Sequence, residues 1–212
     1  MNPDSRKIRL IMHLRSGGVH DTRVLAAIER IPREVFAPES MRDQAYENAT
    51  IPIGCHQTMS APLVVGTMTQ ALQVDERTKV LEVGTGSGYQ AAVLSRLCRR
   101  VYTIERYREL LEIAEQRFAE LAFTNITAKV GDGTLGWREQ APFERIIVTA
   151  AATDVPPVLA EQLSIGGVMV VPVDDGAGEP RLLKVVRTEQ GLDIDDMGEI
   201  RFVPLIADTG PE

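Results

Sequence analysis

The chain is poor in the groups on which several kinds of protein depend. It has only two cysteines in 212 residues, Cys55 and Cys98. They make no metal-ligand spacing, and reduced thiols in a cytoplasmic protein are the simpler expectation. No apolar run reaches the roughly 18 residues of a membrane-spanning helix, so no membrane partner is expected. Lys and Arg number 23 against 30 Asp and Glu, for a formal net charge of −7. Nucleic-acid affinity rests on neutralising phosphates with Lys and Arg, so this balance is a poor match to DNA or RNA. The first residues lead into an amphipathic stretch and not into the apolar core of a secretory signal.

What is present is a hydrophobic content of 44%. That suffices for one sizeable α/β domain with a small extension. The chain is organised around the stretch from Val80 to Tyr89, where short apolar residues break into Gly84, Gly86 and Gly88, with a helical run over 90–97. This is the pattern of a buried parallel strand, a tight turn and a helix start. Glycine lets a ligand approach the main chain, and the exposed N–H groups of the helix start favour a polar or anionic group. A dinucleotide fingerprint would need glycine where Tyr89 stands. The spacing Glu82-x-Gly84-x-Gly86-x-Gly88 resembles instead motif I of class I S-adenosylmethionine (SAM)-dependent methyltransferases. A nucleotide-binding variant, or a glycine turn without a ligand, are the alternatives.

Helical spacing over 6–17 stops at Gly17 and Gly18, and Asp21 reads as the N-cap of a second helix that Pro32 ends. Residues 38–48 are expected to be irregular. Residues 51–62, with two prolines and a glycine, are expected to form a loop before a helix over 63–72. Strand and helix signals then alternate: strands from 78 or 79, over 100–105, 126–130, 143–148 and 167–173, with helices over 107–122 and 156–163. A final antiparallel pair is expected over 181–188 and 200–206, turning near Gly191. The fold class is thus α/β, a doubly wound, mostly parallel seven-stranded sheet. Residues 1–60 form an N-terminal helical extension ending in the active-site loop, packed on a main domain over 61–212. The tail after Asp208 is expected to fray.

Ligands of open α/β sheets bind at the carboxyl ends of the strands. Three signals fall there: the glycine loop, Glu105 and Gly131-Asp132-Gly133. Glu105 lies about 20 residues after the first glycine, placed for a carboxylate that accepts both ribose hydroxyls. Asp132 is placed for the adenine amine, with Gly133 permitting close approach. What is missing also counts. The segment from Val148 to Thr153 carries no Asn/Asp-Pro-Pro-aromatic clamp for amine acceptors, and Asp154 alone makes no metal cluster, so no metal is expected.

From about Val24 to Leu205 the chain resembles the protein-L-isoaspartate (D-aspartate) O-methyltransferase family. The resemblance is carried by Ile53-Gly54-x-x-Gln57-Thr58-Met59-Ser60-Ala61-Pro62, by Val83 to Gln90, Gly131 to Gly133, Ile147 to Ala151, Gly166 to Val173 and Phe202-Val203-Pro204-Leu205. It implies that Ser60 is the active-site residue, and that Gln57, Thr58 and Met59 close over SAM. It implies that Val203 and Pro204 help bind the peptide, and that the last two strands are exchanged relative to the usual methyltransferase order. The implied partners are isoaspartyl-containing proteins and peptides, and the implied reaction is methylation of the L-isoaspartyl (and D-aspartyl) carboxylate, whose ester then collapses to a succinimide. A monomer is the default expectation. Family members usually carry Gly at position 56, Ile at 59 and often Asp at 48, where this chain has His56, Met59 and Asn48. His56 reads as a solvent-facing loop residue, with an extra donor near the acceptor as its functional alternative. His13 and His20 receive no role, and Trp137 is expected to pack under the adenine. A methyltransferase for another carboxylate or small molecule, and a SAM-binding module without catalysis, are the competing readings. A carboxylate acceptor ionises near pH 4 and needs no general base, so the lack of a His-Asp pair fits the reaction.

Overall fold

The computed structural model describes residues 3–206. The tail after Asp208 lies outside them. Helices α1 (Pro3–Ser16) and α2 (Thr22–Arg30) open the chain. The Asp21 carboxylate accepts the Arg23 N–H at 2.8 Å, satisfying a helix donor that has no intrahelical partner. The stretch expected to be irregular holds a 3-10 helix, Glu39–Gln44, and another precedes it at Arg33–Phe36.

The segment read as a loop is instead a β-hairpin. Strand β1 (Ile51–Gly54) pairs antiparallel with β2 (Gln57–Met59). Its prolines disguise it. Pro52 sits opposite Thr58 in an isolated two-stranded ribbon, where both strands are edges and a missing N–H is tolerated. Pro62 begins helix α3 (Pro62–Leu72), at the position where a helix needs no N–H. The Asn48 side chain accepts the next free donor, Leu63 N, at 3.0 Å. Gln70 of α3 ties the extension down: its carbonyl oxygen accepts from His20 N and Asp21 N at 2.6 and 2.8 Å.

The main sheet runs through β3 (Lys79–Val83), β4 (Arg100–Glu105), β5 (Ile126–Val130), β6 (Phe143–Val148), β7 (Leu163–Val173), β8 (Arg181–Arg187) and β9 (Leu192–Glu199). Helices α4 (Tyr89–Ser95), α5 (Arg108–Glu120) and α6 (Pro157–Ala160) connect them. The order is β5-β4-β3-β6-β7-β8-β9, parallel as far as β7 and antiparallel beyond, so the last three strands lie in chain order. Alternate residues feed opposite faces. Val80, Ile147, Val168 and Val170 join the cluster that includes the extension, α3 and α4. Leu81, Ile146, Val148, Met169 and Val171 join the cluster under α6. Each fully buried side chain of this kind is worth about 1.5–3 kcal/mol. The extension therefore shares its core with the sheet.

Three expected boundaries move. Helix α6 is one turn, and β7 begins at Leu163, because the Gly166–Gly167 pair makes a bulge inside the strand where a break was expected. The last strand is Leu192–Glu199 and not 200–206. Its four acidic residues suppress the strand signal, yet charge is what an exposed edge strand carries. Residues 200–206 turn back instead. Val203 O accepts from Ala151 N at 2.8 Å, and Leu205 N donates to Ala151 O at 2.7 Å.

The hairpin turn is Cys55–His56, both at positive φ, 48° and 54°. Such turns match strand twist but recruit Asn and Gly, since other side chains crowd the following carbonyl. His56→Gly should therefore raise the unfolding free energy by roughly 0.5–1 kcal/mol, net of the greater entropy that glycine loses. Chemical denaturation reads this directly, and an unchanged or lower value would mean that the turn is unstrained.

Candidate active site

The glycine loop is built by continuing the sheet. Gly84 N and Thr85 N both donate to Ile104 O, at 2.8 and 3.2 Å, so the loop leaves β3 still attached to β4. Gly84 has φ +97°, and a Cβ there would stand 2.3 Å from Thr149 Oγ1. Only glycine accepts both conditions. The Thr149 hydroxyl closes on Gly84 O at 2.7 Å from the end of β6. Gly88 opens α4 at φ +87°, where a Cβ would meet the Phe118 ring at 2.8 Å. The loop thus has contacts with β4, β6 and α5.

Glu105 ends β4 and is 5% exposed. Its Oε2 accepts from Gly86 N at 2.8 Å and its Oε1 from Tyr107 N at 3.0 Å. Each oxygen retains a second lone pair, so the carboxylate still has room for a pair of neighbouring hydroxyls.

Two adjoining compartments open over this loop. The outer one is lined by Gln57, Thr58, Glu105, Arg106, Gly133 and the segment 203–206, among others. The inner one is lined by Met59, Ser60, Thr85, Ser87, Tyr89 and Gln90, among others. Thr58, Gly84, Gly86 and Thr149 line both. Among the described residues no charged side chain lines the inner compartment.

Of the residues singled out from sequence, Gln57, Thr58, Met59, Ser60, Gly84, Gly86, Glu105, Gly133, Val203 and Pro204 meet in these compartments. Ser60 stands in the inner one and Val203 and Pro204 in the outer. Glu82, Gly88 and Asp132 line neither. Asp132 Oδ1 accepts from Thr134 N and Thr134 Oγ1, at 2.8 and 2.7 Å, and so caps a 3-10 turn. Trp137 also lies elsewhere: its ring stands edge-on to Tyr102 at 5.3 Å and under Lys129 Nζ at 4.3 Å. His56 is exposed at the hairpin turn. Sequence reasoning missed Thr149, Arg106 and Tyr107. Thr149 sits in a segment that carried resemblance without a role, and the other two directly follow Glu105.

A bare-backbone floor beside a carboxylate with spare acceptor capacity fits an adenosyl group with a methionine head. With the sheet order above, it places the chain among the class I SAM-dependent methyltransferases. A family model described as protein-L-isoaspartate(D-aspartate) O-methyltransferase matches residues 5–210. The protein-L-isoaspartate O-methyltransferase of Paramagnetospirillum magneticum is 58% identical over 204 residues, 96% of this chain and 95% of that one. Its namesake from Rhodospirillum centenum is 58% identical over 213 residues, 100% of this chain and 96% of that one. The chain belongs to the protein-L-isoaspartate (D-aspartate) O-methyltransferase family. Among solved structures, a protein-L-isoaspartate O-methyltransferase superposes with a TM-score of 0.86 at 28% identity, over 96% of this chain and 67% of that chain. A Plasmodium falciparum structure described as the same enzyme, in complex with S-adenosyl-L-homocysteine, gives a TM-score of 0.83 at 19% identity, over 94% and 98%, and supports the fold.

Behind the loop, Thr85 donates to Thr103, which donates to Glu82 Oε2, at 2.6 and 2.5 Å. Glu82 is fully buried and its Oε1 has no hydrogen-bond partner. Burial pushes its pKa from 4.5 up to about 8, against the Thr103 hydrogen bond and with a contribution from Glu105. The folded protein therefore keeps a proton here that the unfolded chain releases above 4.5. The associated stability is fully present below pH 4.5 and is lost as pH rises through about 8. Its size is on the order of a few kcal/mol. Glu82→Gln keeps a neutral group in place and should flatten this decline. Melting temperatures of the ligand-free proteins across that range test it; parallel curves for variant and wild type would mean that Glu82 is already ionised at neutral pH.

Proposed function

We propose that this chain methylates the free carboxylate of L-isoaspartyl residues, and of D-aspartyl residues, in damaged proteins and peptides, and so starts their repair. The observation that carries the reading is the inner compartment. It is lined by the hydroxyl-bearing Thr58, Ser60, Thr85, Ser87 and Thr149 together with apolar side chains such as Val64 and Met68, and by no charged side chain among the described residues, and Ser60 stands in it with Gly84 and Gly86.

That wall suits a carboxylate nucleophile. The acceptor is ionised at neutral pH, so no general base is needed. An Arg or Lys would bind it more tightly but would also quench it. Hydroxyl and N–H donors hold it while leaving a lone pair free to react. When bound, SAM supplies an electrophilic methyl group on a sulfonium whose sulfur leaves neutral. Gly84, Gly86, Glu105 and Gly133 would hold it, with Gln57 and Thr58 of the hairpin above. Ser60 orients the acceptor oxygen, and Val203 and Pro204 contact the peptide. The hairpin and the 203–206 segment exclude water from the carboxylate. Fixed alignment of the kind this cleft offers is worth about 7–11 kcal/mol. No helix among the described residues is long and apolar enough to cross a membrane. We place the enzyme in the cytoplasm as a monomer without nucleic-acid partners, on its reduced thiols and net charge of −7.

The test uses SAM with a labelled methyl group and two peptides that differ only in L-isoaspartate or ordinary aspartate at one position. Base-labile label should enter the isoaspartyl peptide alone. Label on both peptides, or on neither while SAM binds, would overturn the acceptor assignment. In the same assay Ser60→Ala should lower kcat about 10- to 100-fold, the value of a hydrogen bond to a charged group, with SAM affinity little changed. Equal losses in both would count against its orienting role.

A further inference from the structure

Arg33 is the largest fully buried side chain among the described residues, with 0% exposure. No carboxylate pairs with it among the described residues. Its hydrogen bonds go to two backbone carbonyls: Nε donates to Ala45 O at 2.8 Å and Nη2 to Ser60 O at 2.7 Å. Its guanidinium lies over the Tyr89 ring, 4.4 Å from the centroid. Nη1 and the Tyr89 hydroxyl are buried without a well-aligned hydrogen-bond partner. They are each other's polar neighbours, and burial pulls the Arg33 pKa down. A buried cation with no counter-charge is costly, and a guanidinium does not escape the cost by losing its proton. An apolar side chain would fill the same space more cheaply.

What an apolar side chain could not do is join these three places. Ala45 belongs to the extension. Ser60 follows the hairpin and lines the inner compartment. Tyr89 is the first residue of α4, directly after the glycine loop, and lines the same compartment. A second tie lies just beyond, where Asn48 of the extension accepts Leu63 N. The backbone on either side of Ala61 is thus held from the extension at two points, and Arg33 bonds to the Ser60 carbonyl while stacking on the first residue of the cofactor helix. The planar fork of Arg suits this, because it donates in two fixed directions while its face stacks on a ring. We infer that Arg33 is a positioning residue for methyl transfer: it holds the Ser60 peptide in register with α4, so that the Ser60 hydroxyl stands where the acceptor carboxylate must lie. The inference rests on the orienting role proposed above for Ser60.

The test is a double-mutant cycle in the full chain: wild type, Ser60→Ala, Arg33→Met, Arg33→Lys, and each Arg33 variant combined with Ser60→Ala. Turnover on the isoaspartyl peptide, calorimetric affinity for S-adenosylhomocysteine, melting temperature and hydrogen exchange of the segment 57–61 are measured on each. With Ser60 present, both Arg33 variants should lose at least about tenfold in kcat, while product affinity stays within about threefold. In the Ser60→Ala background the same substitutions should cost less than about twofold, because the group they position is gone. Exchange over 57–61 should quicken while protection in β3, β4 and β6 is kept. Equal losses in both backgrounds, with Ser60→Ala itself impaired, would overturn the role of Arg33 and leave that of Ser60 standing. A fully active Ser60→Ala protein would overturn the Ser60 reading and the inference with it. Failure of both Arg33 variants to fold would assign the residue to structure alone and so overturn the proposal.

Discussion

The Glu105 carboxylate accepts one N–H from Gly86 and another from Tyr107. Through that pair of bonds the glycine loop after β3 and the start of α5 are fixed to the end of β4. The rest of the site is arranged around them. A loop of three glycines has little stiffness of its own, since glycine loses more conformational freedom on ordering than any other residue. Here the entropy is offset by bonds from outside the loop: Ile104 O on Gly84 N and Thr85 N, Thr149 Oγ1 on Gly84 O, and Arg117 on Ser87 O. Glu105 is the charged member of this set that also lines the cleft. One carboxylate thus shapes the floor and presents acceptors to whatever lies on it.

The acceptor side depends on that floor but is built from the other end of the chain order. The hairpin β1–β2 and the segment 203–206 both line the cleft above the loop, and neither belongs to the seven-stranded sheet. Ile51 and Met59 anchor the hairpin in the core, and specific hydrogen bonds add to this. The returning segment hangs on Ala151 by two backbone bonds, and Ser60 hangs on Arg33. This division explains the chemistry. The ends of the sheet strands supply the glycine floor and Glu105, the hairpin brings Thr58 and Ser60 over it, and the returning segment brings the apolar Val203, Pro204 and Leu205.

How much of this was legible in the sequence follows from where each signal comes from. The parallel strands carry continuous apolar runs because they are buried on both faces, so Val80 to Val83 and Ile146 to Val148 announced themselves. The glycine loop and Glu105 were legible because backbone geometry and strand-end placement restrict residue type. The hairpin was hidden because Pro52 and Gly54 speak for a loop unless the strand is known to be an isolated edge. Strand β9 was hidden by its acidic residues, and its apolar quota was misread into 200–206, whose Val203, Pro204 and Leu205 line the cleft. Arg33 was invisible for a different reason: nothing in the sequence distinguishes a buried arginine bonded to carbonyls from one in solvent. Asp132 was legible as a strand-end acid, but its Oδ1 is engaged by Thr134 in a cap.

The central claim, that one carboxylate both pins the loop and holds the cofactor, is tested most directly by calorimetric titration of S-adenosylhomocysteine into wild type and Glu105→Gln. A glutamine oxygen can accept from only one of the two N–H groups and turns its own NH₂ toward the other. The account predicts at least about a tenfold loss of affinity in a protein that still melts cooperatively. Affinity equal to wild type would contradict it.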